Sequence, residues 1–171
     1  SYLWSIPNVE NAICKSKSSN VLSFNQFILD ISPFVTITTG PEWFDFFKLI
    51  NDRHGHQTGD RVLQEAANRL QSVARESDSV GRYGGEEFLI ILNYCSTNQA
   101  EIASERFRRA IADSSFRSAG ISPVEITVTA SIGTASTDGQ AGYDSLELIK
   151  QADNALYQSK ANGRNRVTKG R

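Results

Sequence analysis

The sequence predicts a single α+β domain, a sheet with helices packed on it rather than a doubly wound parallel sheet. Three observations lead there. Strand-like and helix-like segments follow one another in mixed order, and two strand-like runs are separated only by a tight turn. The chain, at 171 residues and 39% hydrophobic, is long enough to bury one core.

Phe34 to Thr39 (FVTITT) is short and β-branched, which predicts a buried strand, and Gly40-Pro41 ends it. A loop or helix start follows. From Gly59-Asp60 onward, Val62, Leu63, Ala66, Ala67, Leu70 and Val73 recur at helical spacing, with Asp60 placed to cap the start. Ser79 to Tyr83 and Glu86 to Leu92 are strand-like runs joined by Gly84-Gly85, a pair that permits positive φ at both turn positions and so predicts a hairpin. Ala100, Ala103, Phe107 and Ile111 mark a second helix. Val124 to Ile132 alternates Val, Ile and Thr as a strand would, and Leu146 to Lys160 reads as a third helix.

Bulk properties exclude some functions. Eighteen Lys and Arg against nineteen Asp and Glu leave a formal charge of -1, which gives no overall attraction to a nucleic-acid polymer or an anionic membrane. Phosphate binding would have to rest on a few placed cations. Apolar runs such as FLIIL at 88–92 are strand-sized, far short of the roughly 20 residues that span a bilayer. Cys14 and Cys95 match no metal or redox spacing and read as independent reduced thiols in a cytosolic setting. A serine start and no methionine predict a segment of something longer. Residues 1–32 read as a divergent N-terminal segment and 33–171 as the domain.

The chemistry concentrates at the hairpin, which reads Arg82-Tyr83-Gly84-Gly85-Glu86-Glu87-Phe88. Glycines let a ligand approach the backbone, and two adjacent carboxylates call for a cation. Successive strand residues point to opposite faces, so Glu86 and Glu87 are expected to do different jobs.

Here the sequence resembles the GGDEF family of diguanylate cyclases, in its GGEEF form. The resemblance runs from about Asp45 to Val167, through Phe47-Lys48-Leu49-Ile50-Asn51-Asp52, Gly55-His56, Gly59-Asp60, the hairpin, Thr129-Ala130-Ser131-Ile132-Gly133, Ala152-Asp153-Asn154-Ala155-Leu156-Tyr157 and Gly163-Arg164-Asn165-Arg166. It implies a nucleotide-cyclase-like fold, a mostly antiparallel sheet flanked by helices around a ferredoxin-like βαββαβ core. It also implies condensation of two GTP molecules into cyclic di-GMP. Asn51 and Asp60 would then recognise guanine, an amide and a carboxylate suiting the acceptor and donor edges of that base. Lys48, Lys160 and Arg164 would contact the triphosphate. Glu86 would ligate Mg²⁺ or Mn²⁺, and Glu87 would assist deprotonation of the attacking 3′-hydroxyl or hold a second metal. Each domain holds one GTP, so a homodimer is the implied competent unit. Arg75-Glu76-Ser77-Asp78 matches the family's RxxD inhibitory motif, in which Arg75 and Asp78 would grip the product, with Arg106 as a further arginine. Bacterial cytoplasm and attached sensory or phosphodiesterase domains, on a larger or membrane-anchored protein, are the implied setting.

Two departures bear on activity. Trp43 stands where the family usually carries the first, metal-binding Asp, and Asp45 matches the second acid. The family's N-terminal block is replaced by Ser5-Ile6-Pro7-Asn8-Val9-Glu10. An inactive domain that binds GTP or cyclic di-GMP is therefore the alternative expectation. His54 and His56 form no metal cluster, and Phe44, Phe46 and Phe47 read mainly as core. Trp4 reads as a packing residue or as a remnant of a linker helix.

Overall fold

Five strands form the central sheet. In a computed structural model of the chain, residues 13–15, 21–23, 34–38, 46–137 and 144–170 are described. The elements are β1 (Ile13–Lys15), β2 (Val21–Ser23), β3 (Phe34–Thr38), α1 (Phe47–His54), α2 (His56–Val73), β4 (Ser79–Gly84), β5 (Glu87–Asn93), α3 (Thr97–Ala112), β6 (Phe116–Arg117), β7 (Glu125–Ile126), β8 (Ile132–Ser136), α4 (Ser145–Ala161) and β9 (Val167–Lys169). The sheet order is β4-β5-β3-β8-β9, with two-stranded ribbons β1-β2 and β6-β7 beside it. Neighbours β4-β5, β5-β3 and β3-β8 are antiparallel, and β8-β9 is parallel. Taken in chain order, β3, β4, β5 and β8 with their helical crossovers are the βαββαβ arrangement the sequence implied, and β9 extends it.

The two faces of the sheet can be read from strand alternation. Phe88, Ile90 and Leu92 of β5 join Phe47, Ile50, Val62, Leu63, Ala66, Leu70, Ala103, Phe107 and Ile132 in one buried core, so α1, α2 and α3 cover this face. Gly133 is one residue past Ile132 and meets the other face. A Cβ there would lie 2.0 Å from the Ala152 carbonyl oxygen and 2.3 Å from the Leu156 nitrogen. Helix α4 thus packs backbone to backbone against β8, which only glycine permits.

Local signals set the helix ends. Ser96 and Gln99 form a reciprocal capping box at the start of α3, and the Asp144 carboxylate accepts from Leu146 N at 2.9 Å at the start of α4. Arg69 of α2 donates to the Ile111 and Ser114 carbonyls at 3.4 and 2.7 Å and covers the Phe116 ring at 3.8 Å, fastening α2 to the end of α3. No helix among the described residues is long and apolar enough to cross a membrane.

Three local expectations are corrected. Asp60 does not cap α2. The helix starts at His56, after Gly55 with φ 81°, and Asp60 lies inside it. The hairpin turn falls on Gly85-Glu86 rather than Gly84-Gly85, because Gly84 pairs with Glu87 while Arg82 pairs with Phe88. Tyr83 is therefore an extra residue in β4, a bulge, and neither Gly85 nor Glu86 takes a left-handed φ. Residues 124–132 are not one strand. Glu125–Ile126 pairs with Phe116–Arg117, and the sheet strand begins only at Ile132, where Gly133 admits α4.

Candidate functional site

At the tip of the β4-β5 hairpin, charges carried by α4 act on Glu87. Glu86 occupies the turn and Glu87 opens β5, both half-buried. The bulge at Tyr83 and a clamp fix this tip: the Arg82 Nε donates to the Gly85 carbonyl at 2.7 Å, and its Nη2 donates to the same oxygen. Burial pushes the Glu87 carboxyl above its ordinary value of 4.5, and the Asp153 carboxylate pushes the same way. The Lys160 ammonium opposes them and Glu86 adds a further upward push. Asp153 and Lys160, an anion and a cation seven positions apart on α4, thus act on Glu87 in opposite directions.

A second group of predicted residues lies where α1 packs on α2. The Asn51 side-chain oxygen is buried without a hydrogen-bond partner. It fits there because Gly59 has no side chain; a Cβ on Gly59 would stand 1.9 Å from that oxygen and 3.1 Å from Phe47 Cζ. Asp60 follows directly, exposed, in a groove with Gln57, Arg61, Gln64 and Ala119. A buried acceptor without a donor costs about 1–3 kcal/mol, which a ligand N–H would offset.

The loop after α4 carries three consecutive positive φ angles, at Gly163 (104°), Arg164 (61°) and Asn165 (45°). It returns Arg164 toward the start of α1, where the guanidinium carbon lies 4.8 Å from the centre of the Phe46 ring. Phe46 is itself left-handed, at φ 68°, and 62% exposed, so only Phe47 of this pair joins the core. Lys48 is exposed on the first turn of α1.

On the other side of the hairpin, Asp78 is 4% exposed. Its carboxylate accepts from the Arg75 backbone N–H at 2.8 Å, closing the loop before β4. The Arg106 Nη2 lies 3.8 Å from Asp78 Oδ2, too far for a hydrogen bond, and is buried without a hydrogen-bond partner, while Arg106 Nε donates to the Val73 carbonyl at 3.0 Å. The Arg75 side chain is exposed.

The predicted substrate and metal residues thus fall in three places. Glu86 and Glu87 stand at the hairpin tip, where the Lys160 charge acts on Glu87, Asn51 stands against Gly59 beside Asp60, and Arg164 rests on Phe46 just before the helix that carries Lys48. Arg75, Asp78 and Arg106 form a separate cluster. Trp43, Phe44 and Asp45 lie outside the described residues, as do Trp4 and the altered 5–10 segment. Nothing in the sequence singles out Asp153 for a role, although it lies within the Ala152–Tyr157 block. Sequence reasoning also missed Arg82 and Phe46, whose parts depend on the bulge and on a left-handed backbone.

The carboxylates suit a divalent cation. Among the described residues no three of His, Cys, Asp and Glu form a ready-made cage. Glu86 and Glu87 nonetheless offer hard oxygens, and the crowding of negative charge at Glu87 is what a cation would relieve. Mg²⁺ is commonly held by one or two carboxylates and takes its other oxygens from water and phosphate.

The fold and these clusters define an α+β domain of the nucleotide-cyclase-like class. Residues 43–166 match the family model described as diguanylate cyclase, GGDEF domain. The chain belongs to the GGDEF family. It is 44% identical over 124 residues to diguanylate cyclase A of Treponema denticola, covering 72% of this chain and 32% of that protein. Among solved structures it resembles the active GGEEF domain of a diguanylate cyclase from Vibrio cholerae, with 33% identity, TM-score 0.69, and 82% of this chain and 84% of that one covered. It also resembles the coiled coil and GGDEF domain of DgcB from Caulobacter crescentus in complex with c-di-GMP, with 30% identity, TM-score 0.70, and 82% and 70% covered. The chain spans about a third or less of the curated relatives it matches.

Proposed function

We propose that the domain, residues 33–171, binds GTP and condenses two molecules of it into cyclic di-GMP. The observation that carries this reading is the buried, unpartnered Asn51 oxygen beside Asp60. A guanine base presents adjacent N–H donors, which one neutral and one anionic acceptor match. A base seated there extends its phosphates toward cations, and Lys48, Lys160 and Arg164 supply them.

The reaction is two like displacements. The 3′-oxygen of one GTP forms a bond to the α-phosphorus of the other, the bond from that phosphorus to the pyrophosphate oxygen breaks, and the hydroxyl proton passes to Glu87. The raised Glu87 value suits a proton acceptor better than an ordinary glutamate would. Glu86 would hold Mg²⁺ or Mn²⁺, which when bound neutralises phosphate charge, and holding a second such ion is the alternative role for Glu87. One domain holds one GTP, so two domains meet face to face and alignment supplies much of the rate. The competent unit is a homodimer, and sensory or phosphodiesterase domains attached in a longer bacterial protein would control the encounter in the cytoplasm. Arg75, Asp78 and Arg106 form a product site that inhibits turnover. The Arg106 Nη2, paired by charge with Asp78 at 3.8 Å but making no hydrogen bond, is a donor kept for guanine or phosphate.

Trp43 favours a second reading, because its indole cannot coordinate Mg²⁺ where the family places an aspartate. In that reading the domain binds GTP or cyclic di-GMP without turnover and signals to an attached partner. Incubation with GTP and Mg²⁺ followed by chromatography separates the two. Cyclic di-GMP that accumulates with time, and that Glu86→Ala abolishes without loss of fold, supports the cyclase. Retained nucleotide with no product, even in an artificially dimerised form, supports the binding module.

A further inference from the structure

We propose that Arg108 is a positioning residue for the triphosphate site, holding Asn165 and through it the loop that presents Arg164. This rests on the reading of Arg164 as a triphosphate contact.

Arg108 lies on α3, one turn after Glu105. Its Nε and Nη2 donate to the two Glu105 carboxylate oxygens at 2.8 and 2.7 Å, a fork-to-fork pair that fixes the plane of the guanidinium. The side chain is only 14% exposed. The remaining nitrogen, Nη1, donates to Asn165 Oδ1 at 2.5 Å, across 57 positions of sequence. A lysine could not do both at once, because its donors radiate from one point.

The loop it reaches needs such a hold. Gly163, Arg164 and Asn165 are all left-handed, a conformation natural to glycine, tolerated by asparagine and unfavourable for arginine. Arg164 N donates to the Ser159 carbonyl at 3.0 Å and Arg166 Nε to the Arg164 carbonyl at 3.0 Å, within the loop and its own helix. The Arg166 carbonyl accepts from Ile132 N of β8 at 2.9 Å, and the Arg164 guanidinium rests on the Phe46 ring. The Arg108 bond ties the loop to a different helix, on the opposite face of the sheet from α4. Asn165 at φ 45° both accepts the strained backbone and supplies the acceptor. Holding Asn165 fixes the direction in which Arg164, its neighbour, leaves the backbone.

The test pairs a ligand-free measurement with a titration. Heteronuclear NOEs for residues 163–166 are recorded in ¹⁵N-labelled wild type, Arg108→Ala and Asn165→Gly, and binding of 3′-deoxy-GTP, which lacks the attacking hydroxyl, is followed by calorimetry. Both variants should lower the loop NOEs and weaken binding about tenfold, the loss of one charge-assisted hydrogen bond. Adding Arg108→Ala to Arg164→Ala should then cost nothing more. A loop as rigid as wild type in both variants, or an equal loss in the two backgrounds, overturns the proposal. If Arg108→Ala does not fold, Asn165→Gly decides alone, since it leaves the Glu105 pair intact. If wild type takes up no 3′-deoxy-GTP, the functional reading fails, while the NOEs still decide whether Arg108 orders the loop.

Discussion

Arg164 and Phe46 face one another at 4.8 Å across the mouth of the site, and both hold left-handed backbones, at φ 61° and 68°. The contact joins the loop after α4 to the start of α1. An exposed cation–π contact is worth about 0.5–1 kcal/mol, so Phe46→Leu should weaken GTP binding about two- to fivefold with no change in the cyclic di-GMP inhibition curve. Titration of both ligands checks it.

Glu87→Gln should lower turnover by about 10²–10⁴-fold, the usual contribution of a positioned base. Stability should move the other way. The folded value of Glu87 is raised, so its share of stability is present below the ordinary 4.5 and lost as pH rises through the folded value. Above that folded value the charged Glu87 is a burden, and there the glutamine variant should melt at or above the wild-type temperature. A thermal scan giving a clear drop would remove the burial argument.

Two glycine substitutions should part company. Gly133→Ala drives a Cβ to 2.0 Å from the Ala152 backbone oxygen, which cannot step aside, and should cost about 3 kcal/mol or more. Gly59→Ala instead meets the Asn51 side-chain oxygen at 1.9 Å, which can rotate away. The helix gains up to about 1 kcal/mol from alanine, so stability should change little while GTP affinity falls. Urea denaturation and nucleotide titration distinguish the two outcomes.

Arg75→Ala should relieve inhibition by added cyclic di-GMP, raising the half-inhibiting concentration about 10- to 100-fold, the loss of one charged hydrogen bond. Turnover without added product should stay the same, because Arg75 is exposed on the loop before β4. Identical inhibition curves for the two proteins would remove the product site from this cluster.

The Glu105 carboxyl is held below its ordinary 4.5, first by the Arg108 hydrogen bond and then, against burial, by Arg109. Its contribution to stability is therefore complete above that ordinary value and disappears as pH falls through the lower folded value. Between about pH 5 and pH 3 wild type should lose melting temperature faster than Glu105→Gln, and above about pH 6 the two slopes should match. Parallel slopes throughout would mean that the Arg108 fork adds nothing.

Much of the fold was legible because its signals are local. Periodic apolar residues marked α3 and α4, and β-branched residues marked β3. Where the reading slipped, a contact distant in sequence decided the outcome. Asp60 resembled a cap, but Gly59 is needed inside α2 to admit Asn51. Residues 124–132 alternate like a strand, but the partner strand Phe116–Arg117 takes only two of them. Two glycines suggested the turn, while the bulge at Tyr83 moved it on by one residue. At the site, the residue types could be read from the motif blocks, whereas the Glu87-Asp153 approach and the Arg108-Asn165 bond join elements far apart in the chain.

The parallel strand β9 sets a limit on how far the domain can be trimmed. Ser159 Oγ lies 2.8 Å from the Ile132 carbonyl oxygen and 2.6 Å from Thr168 Oγ1, and Gly170 N donates to the Thr134 carbonyl at 2.6 Å. The loop with Arg164 is strung between α4 and this strand, like a span between two piers. A fragment cut after Arg166 would keep every motif residue and lose the second pier, so the loop would lean on the Arg108–Asn165 bond, the Phe46 contact and the bond from Ile132 N to the Arg166 carbonyl. The structural boundary of the domain therefore falls beyond the last recognisable motif, at Gly170.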